Sequence, residues 1–279
     1  MIETIAIIGT GMIGGSIGLA SKKSGMVTKI IGYDPNAESL EASKALGICD
    51  AIEYKFEDAI KEADLVIFSL PVQGIASQIL LGLKHAKKGS IFTDTGSTKL
   101  EICKQLENKL RGADCVFVPA HPIAGSEKSG PTASHADLFR GKLTVLCPWE
   151  ESPEWAVEKV TDFWQSIGAR VEKLSPEEHD KIFALTSHLP HLIAYSLAGL
   201  LEPRDAQFTA GGFRDTTRVA GSDPALWTEI FKANKGPLLE ALQKFQAGLE
   251  KIEAALISGD FKTVQTILEK AQQFRRKIQ

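Results

Sequence analysis

No run of the chain approaches the roughly 18 consecutive apolar residues that a membrane-spanning helix requires, so no bilayer segment is expected. The N-terminus, MIETIAIIGTG, has neither a basic leader nor a small-residue cleavage site, which argues against a secretory signal. Charge of one sign is lacking too: 32 Lys and Arg stand against 35 Asp and Glu, a net −3. Such a balance exerts no electrostatic pull toward nucleic acid or an anionic membrane surface. Cysteine is scarce. Cys49, Cys103, Cys115 and Cys147 are scattered, with neither metal-ligand spacing nor a disulfide framework, and a reducing cytoplasm is the expectation that follows. There is no internal repeat and no low-complexity segment. What is abundant is apolar: 43% of 279 residues, enough to bury a sizeable core, most simply in two domains.

The first part of the chain alternates β-rich runs with helical ones. IETIAIIG (2–9), KIIGYD (29–34), DLVIFSL (64–70), SIFTD (90–94), DCVFVPA (114–120) and LTVLCP (143–148) read as strands. Residues 12–24, 35–46, 73–83 and 99–110 read as the helices between them, 153–168 as another helix, and ARVEKLS (169–175) as a last strand. This alternation predicts an α/β domain whose parallel sheet is covered on both faces. The pattern changes at SPEEHD (175–180), where Ser175 suits an N-cap, Pro176 the first helical position, and Glu178 completes a capping-box spacing. From there only helices are expected. Residues 181–201 are long and apolar, 238–256 carry Leu239, Leu242, Phe245, Leu249, Ile252 and Leu256 on one face, and Asp260 caps a final helix. The boundary falls at 174, giving an α/β domain over 1–174 and an all-α domain over 175–279. The apolar surface of these helices exceeds what a small helical domain buries alone, which predicts a homodimer.

Several motifs carry chemistry. In IIGTGMIGGS, Gly9, Gly11 and Gly14 form GxGxxG after a strand and at the opening of a helix, with Met12 and Ile13 between them. The first glycine permits the tight turn, the second lets a pyrophosphate approach the helix N-terminus, and the third allows close helix–strand packing. Asp34 stands 20 residues past Gly14 at the end of the second strand. Its carboxylate suits ribose hydroxyls and repels a 2′-phosphate, so NAD is favoured over NADP. SLPV (Ser69, Leu70, Pro71) and DTGSTK (Thr95, Ser97) follow strands and line the same sheet edge; Ser97 also reads as a helix N-cap. His121 opens HPIAGSEKSG at that edge, ahead of Ser126 and Glu127. By position alone it reads equally as a base for an alcohol proton or as a surface histidine. In TSHLPHL, His188 and His191 share a helix face beside Pro190, a residue that kinks a helix. They read equally as core and as site, and no third metal ligand stands at suitable spacing. In GGFRDTTRVAGSDPALW, Arg214 and Arg218 lie four apart, suited to carboxylates if helical, although an exposed face with an Arg–Asp pair explains them too. His85, His135 and His179 read as surface or capping residues.

Taken together, IAIIGTGMIGGSIG, DTGSTK, HPIAGSEKSG, SHLPH and GGFRDTTRVAGSDPALW resemble the prephenate and arogenate dehydrogenases of tyrosine biosynthesis. The pieces span residues 5 to 227 in the family's order. The resemblance implies a Rossmann domain that binds NAD, followed by a helical domain that forms a tight homodimer. It implies that Gly9, Gly11, Met12, Ile13, Gly14, Asp34, Ser69, Leu70, Pro71 and Thr95 hold the cofactor. His121 would bond the ring hydroxyl and assist its deprotonation, with Ser97 in support. Arg218 would hold the ring carboxylate that leaves as CO2. His191 and Arg214 would line the side-chain end, and Ser126 would lie in the substrate turn. Glu127, Arg214 and Asp215 would form an ionic gate, and Trp227 would reach the partner's site. The length leaves no room for an attached mutase or regulatory domain.

Two rival readings remain at this stage. A β-hydroxyacid-type dehydrogenase would offer a lysine in the first long helix after the boundary, where this chain has His188 and His191. A non-catalytic NAD sensor would need neither His121 nor the arginine cluster.

Overall fold

Alternate residues of the first strands are apolar in both directions, and the structure shows why. In β1 (Thr4–Ile8), Ile5 and Ile7 enter one core while Ala6 and Ile8 enter another on the opposite face of the sheet. A strand buried on both faces has no polar side to alternate with. The structure, a computed structural model, describes residues 2–125 and 128–278. β1 is flanked by β2 (Lys29–Tyr33), β3 (Ala51–Ile52), β4 (Leu65–Phe68), β5 (Ile91–Asp94) and β6 (Val116–Val118) in a parallel sheet of order β3-β2-β1-β4-β5-β6. Strand order reverses between β1 and β4, and ligands of such sheets bind beyond the strand ends at that crevice.

Helices close both faces. α1 (Met12–Ser24), α2 (Ala37–Ala45), α3 (Phe56–Ile60), α4 (Val72–Gly82), α5 (Leu100–Leu106) and α6 (Glu154–Ser166) follow in chain order. Ile17 and Ala20 of α1 share a core with Val160, Phe163 and Trp164 of α6. Ile75 and Ile79 of α4 pack with Phe92 and with Ile102 and Leu106 of α5 on the other side. Each such side chain contributes roughly 1.5–3 kcal/mol relative to exposure. A one-residue slip of β1 would therefore exchange its whole inward set at once. Strand β3 and helix α3 were not expected from sequence; both are short, at two and five residues.

The single strand expected over 114–120 is two strands. β6 ends at Val118, and β7 (Ala120–Pro122) leaves the parallel sheet for a second one. Pro119 lacks the N–H that would continue the ladder, and its carbonyl instead accepts from the Cys147 amide at 2.8 Å. β8 (Leu143–Leu146) pairs antiparallel with β7 and parallel with β9 (Arg170–Lys173). The last two strands thus belong to a three-stranded sheet, not to the large one.

After β9 the described residues hold no strand. The capping box forms as expected: the Ser175 hydroxyl accepts from the Glu178 amide and the Glu178 carboxylate from the Ser175 amide. It opens α7 (Pro176–Phe183), which continues through a π-turn (Ala184–His188) into α8 (Leu189–Ala198). The expected kink at Pro190 is thus carried by a π-turn immediately before it. α9 (Gly211–Thr217), α10 (Pro224–Ala233), α11 (Lys235–Ser258) and α12 (Phe261–Arg275) complete an all-α domain. No helix of the described residues is long and apolar enough to cross a membrane.

Candidate active site

The glycine turn sits where the sheet's crevice opens. Gly9 follows β1 at φ +94, a conformation that strains any other residue, and a Cβ there would strike the Ser69 carbonyl oxygen at 2.2 Å. That contact brings Ser69 and Leu70, after β4, against the turn. Thr95, after β5, bonds Ser69 Oγ at 3.3 Å. Ser69, Leu70, Pro71 and Thr95 thus share one rim with Gly9 and Gly11.

The rim fits a dinucleotide. Gly11 is the N-cap of α1 and supplies no side-chain cap, the first turn carries no acidic residue, and a Cβ at Gly11 would meet nothing within 4 Å. A helix N-terminus without a competing carboxylate, facing open space, suits a pyrophosphate. Gly14 lets the helix close on the strand, since a Cβ there would meet the Gly9 carbonyl oxygen at 2.0 Å. Asp34 stands just beyond β2. Its Oδ2 accepts from the Thr10 amide at 2.8 Å and its Oδ1 from the Asn36 amide at 2.9 Å. These bonds aim the carboxylate across the turn, where the adenosine ribose of a bound NAD lies in this fold.

His121 is not in a loop beyond a strand but at the centre of β7, half-buried. A buried ion pair ties β7 to the end of β5. Asp94 accepts from the Ala120 amide at 3.0 Å and pairs with the Lys99 ammonium, which also donates to the Ala120 carbonyl at 2.8 Å. His121 Nδ1 lies 2.8 Å from His179 Nε2 of α7, and His179 Nδ1 lies 2.7 Å from Asp180 Oδ1. Asp180 also accepts from the backbone amides of Lys99 and Leu100 at 2.9 and 3.0 Å. Burial, then His179, Lys99 and His188, hold His121 well below the usual histidine range, so its imidazole is neutral near pH 7. Its Nε2 makes no hydrogen bond among the described residues.

The helical domain supplies the facing wall. His188 is buried beside the π-turn, its Nδ1 3.0 Å from Asn234 Nδ2, which also donates to the Asp180 carbonyl at 2.8 Å. Burial draws His188 down to about 4. His191 donates from Nδ1 to the Ser187 carbonyl at 2.9 Å and stacks on Trp227, ring centroids 3.5 Å apart. Arg218 lies close enough to lower the His191 pKa, after the larger effect of burial.

Some expected placements are not found. Arg214 and Arg218 do not both lie within one α-helix, since Arg218 is the C-cap residue of α9. The hydroxyls of Thr216 and Thr217 bond back to the Gly212 and Phe213 carbonyls, α9 ends at Thr217, and Arg218 opens a 3-10 turn. Both arginines are exposed, and Arg214 donates to the Thr209 carbonyl at 2.9 Å rather than pairing with Asp215. Trp227 is buried within the chain, stacked on His191. Ser97 is half-buried near the rim and is not the cap of α5, whose N-cap is Lys99. Ser126 and Glu127 lie outside the described residues, and with them the gate. Sequence reasoning missed Lys99, Asp180 and Asn234, and took His179 for a surface or capping residue although it is fully buried. The one signal for it was spacing: His179 and Phe183 lie four apart on α7 and both turn inward.

Comparison with known proteins agrees with this geometry. A model of the prephenate dehydrogenase nucleotide-binding domain matches residues 17–173, and one of the prephenate dehydrogenase dimerization domain matches residues 175–270. Cyclohexadienyl dehydrogenase of Zymomonas mobilis is 38% identical over 263 residues, covering 92% of this chain and 89% of that protein. Prephenate dehydrogenase of Bacillus subtilis is 35% identical, over 99% of this chain and 76% of its own. Among solved structures, prephenate dehydrogenase of A. aeolicus in complex with hydroxyphenyl propionate and NAD+ superposes with a TM-score of 0.92 at 33% identity, covering 100% of this chain and 99% of that one. With both of its domains matched and its cofactor rim and histidine cleft in place, the chain belongs to the prephenate dehydrogenase family.

Proposed function

We propose that the chain oxidises the ring alcohol of prephenate, arogenate or both with NAD, and releases the ring carboxylate as CO2. One observation carries the chemistry: a half-buried neutral histidine, His121, stands at the sheet crevice with its Nδ1 engaged and its Nε2 open. Bound at the rim, NAD supplies an acceptor for a hydride. Gly9, Gly11, Met12, Ile13 and Gly14 cradle its pyrophosphate, Asp34 holds the ribose, and Ser69, Leu70, Pro71 and Thr95 line the rest. His121 Nε2 takes the hydroxyl proton as the C4–H bond gives up its electron pair and a ketone forms. The electron pair of the C1–carboxylate bond then moves into the ring toward that ketone oxygen, which recovers the proton, and aromatisation makes the step irreversible. Ser97 supports the His121 contact. Arg218 binds the ring carboxylate, while His191, backed by Trp227, lines the side-chain end with Arg214. Ser126 and Glu127 bind the substrate in the same reading.

In the same reading, residues 1–174 bind the cofactor and 175–279 complete the substrate cleft and pair two chains into a homodimer. Four free, buried thiols suit a reducing cytoplasm.

Initial rates with prephenate and arogenate side by side test the activity. NADH and CO2 should appear in equal amounts with at least one of them; NADH from neither, or NADH without CO2, overturns it. His121→Asn should lower kcat on the order of 10²- to 10⁴-fold, the worth of a general base, with KM far less changed. Near-parental kcat from about pH 6 to 9 would remove His121 from the base role.

A further inference from the structure

We propose that His179 is a positioning residue for His121: anchored by Asp180, it holds His121 in the tautomer that leaves Nε2 free to accept, and then takes over the positive charge. This rests on His121 being the base.

The direction of the chain follows from what each group can do. Asp180 receives two backbone N–H bonds, from Lys99 and Leu100, and so acts there as an acceptor. The third group against it, His179 Nδ1 at 2.7 Å, must therefore carry the hydrogen. A neutral imidazole with hydrogen on Nδ1 has its lone pair on Nε2. That Nε2 lies 2.8 Å from His121 Nδ1, which must then be the donor. The same rule applied once more places the lone pair of His121 on Nε2, the nitrogen left open. Reversing either ring would set two hydrogens or two lone pairs face to face at 2.8 Å, in a site where no polar group goes cheaply unpaired. Phe183 fixes the rings from the side, with centroids 4.5 Å from His179 and 5.0 Å from His121.

The chain also gives the transferred proton somewhere to go. When the substrate O–H bond breaks and the proton joins His121 Nε2, an imidazolium appears beside the Lys99 ammonium and His188. Both disfavour it, although Asp94 neutralises Lys99. Passing the Nδ1 proton to His179 Nε2 restores a neutral His121. The cation then sits on His179, in contact with the Asp180 carboxylate and one ring further from the nicotinamide end. The reverse transfer returns the proton when the aromatic product forms. No oxidant or further reactant is needed, and resting His179 is free to accept, since burial keeps its pKa below the ordinary histidine value.

Three variants of the full-length enzyme, assayed with the faster of prephenate and arogenate, test this. His179→Leu removes the chain. His179→Gln keeps it, because the amide oxygen accepts from His121 Nδ1 and the NH2 donates to Asp180, but it cannot take a proton. His121→Asn reports on the base itself. For His179→Leu we expect kcat to fall at least about tenfold, less than the roughly 10²- to 10⁴-fold loss in His121→Asn. KM and NAD affinity should stay within about threefold of the parent. The acid limb of the kcat profile should move to higher pH, because His179 is one of the groups that hold the His121 pKa down. His179→Gln should fall between His179→Leu and the parent. Equal kcat loss in both His179 variants with an unmoved acid limb would mean that His179 only packs, and a His179→Leu enzyme within about twofold of the parent would exclude any role. If leucine prevents folding, His179→Gln decides alone: parental kcat and limb overturn the proposal. A His121→Asn enzyme that keeps its kcat would instead remove the base assignment on which the chain rests.

Discussion

The proposed ribose contact rests on a single carboxylate. Asp34 is held by the amides of Thr10 and Asn36 and faces the glycine turn, so a 2′-phosphate would have to approach a fixed negative charge. Asp34→Ser should weaken NAD use and improve NADP use, read as the ratio of kcat/KM for the two; an unchanged ratio means that Asp34 does not read the ribose. The histidines show the opposite kind of legibility. His121 was visible as a candidate because it ends an apolar run. His179 was not, because a histidine in the first turn of a capped helix most often faces water. Only the docking of α7 on β7 turns it inward, fully buried against His121. Lys99 and Asp94 repeat the lesson. A lysine five residues past an aspartate has no signature in sequence, yet here both are buried and the pair ties the strand that carries His121 to the sheet.

At the scale of elements, glycine positions in one turn do different work. Ala at Gly14 would press a methyl group against the Gly9 carbonyl oxygen at 2.0 Å, and backbone must shift. Overpacking of this kind costs about 1–3 kcal/mol, more than the roughly 1 kcal/mol that alanine gains in a helix. Gly14→Ala should therefore lower Tm and weaken NAD binding together. Gly11→Ala meets nothing, so it should weaken NAD binding while Tm falls less than in Gly14→Ala, alanine at Gly11 being only a poorer N-cap than glycine. Thermal melts with and without NAD check both; a Gly14→Ala protein as stable as the parent would contradict the contact. The strand break at Pro119 belongs to this scale as well. Hydrophobic pattern carries through 114–120 without interruption, and the proline alone marks where the chain changes sheets.

On the whole molecule, α11 and α12 are poorly covered. The buried cluster that α11 shares with α8 comprises only Ala184, Leu189, Leu238 and Ala241, and α12 buries no residue. Leu249, Leu256, Phe261, Leu268 and Phe274 are each about half exposed or more. Exposed apolar side chains in such number on a monomer mark an interface, and the matched dimerization domain covers these helices through residue 270. Light scattering should give twice the 30.2 kDa chain mass at micromolar concentration; a folded, active monomer there would refute the homodimer.

The sequence by itself determined the strand–helix alternation, the glycine turn after β1, the aspartate that follows β2 and the onset of helices at Ser175. All of these depend on neighbours a few residues apart, through hydrophobic period, turn stereochemistry and capping. The tertiary structure decided which sheet His121 joins, what stands behind it, and that α9 ends between Arg214 and Arg218. Those outcomes depend on groups as much as 81 residues apart, such as Asp180 and Lys99. No local pattern records a long-range hydrogen bond, because its partners meet only after both domains have packed.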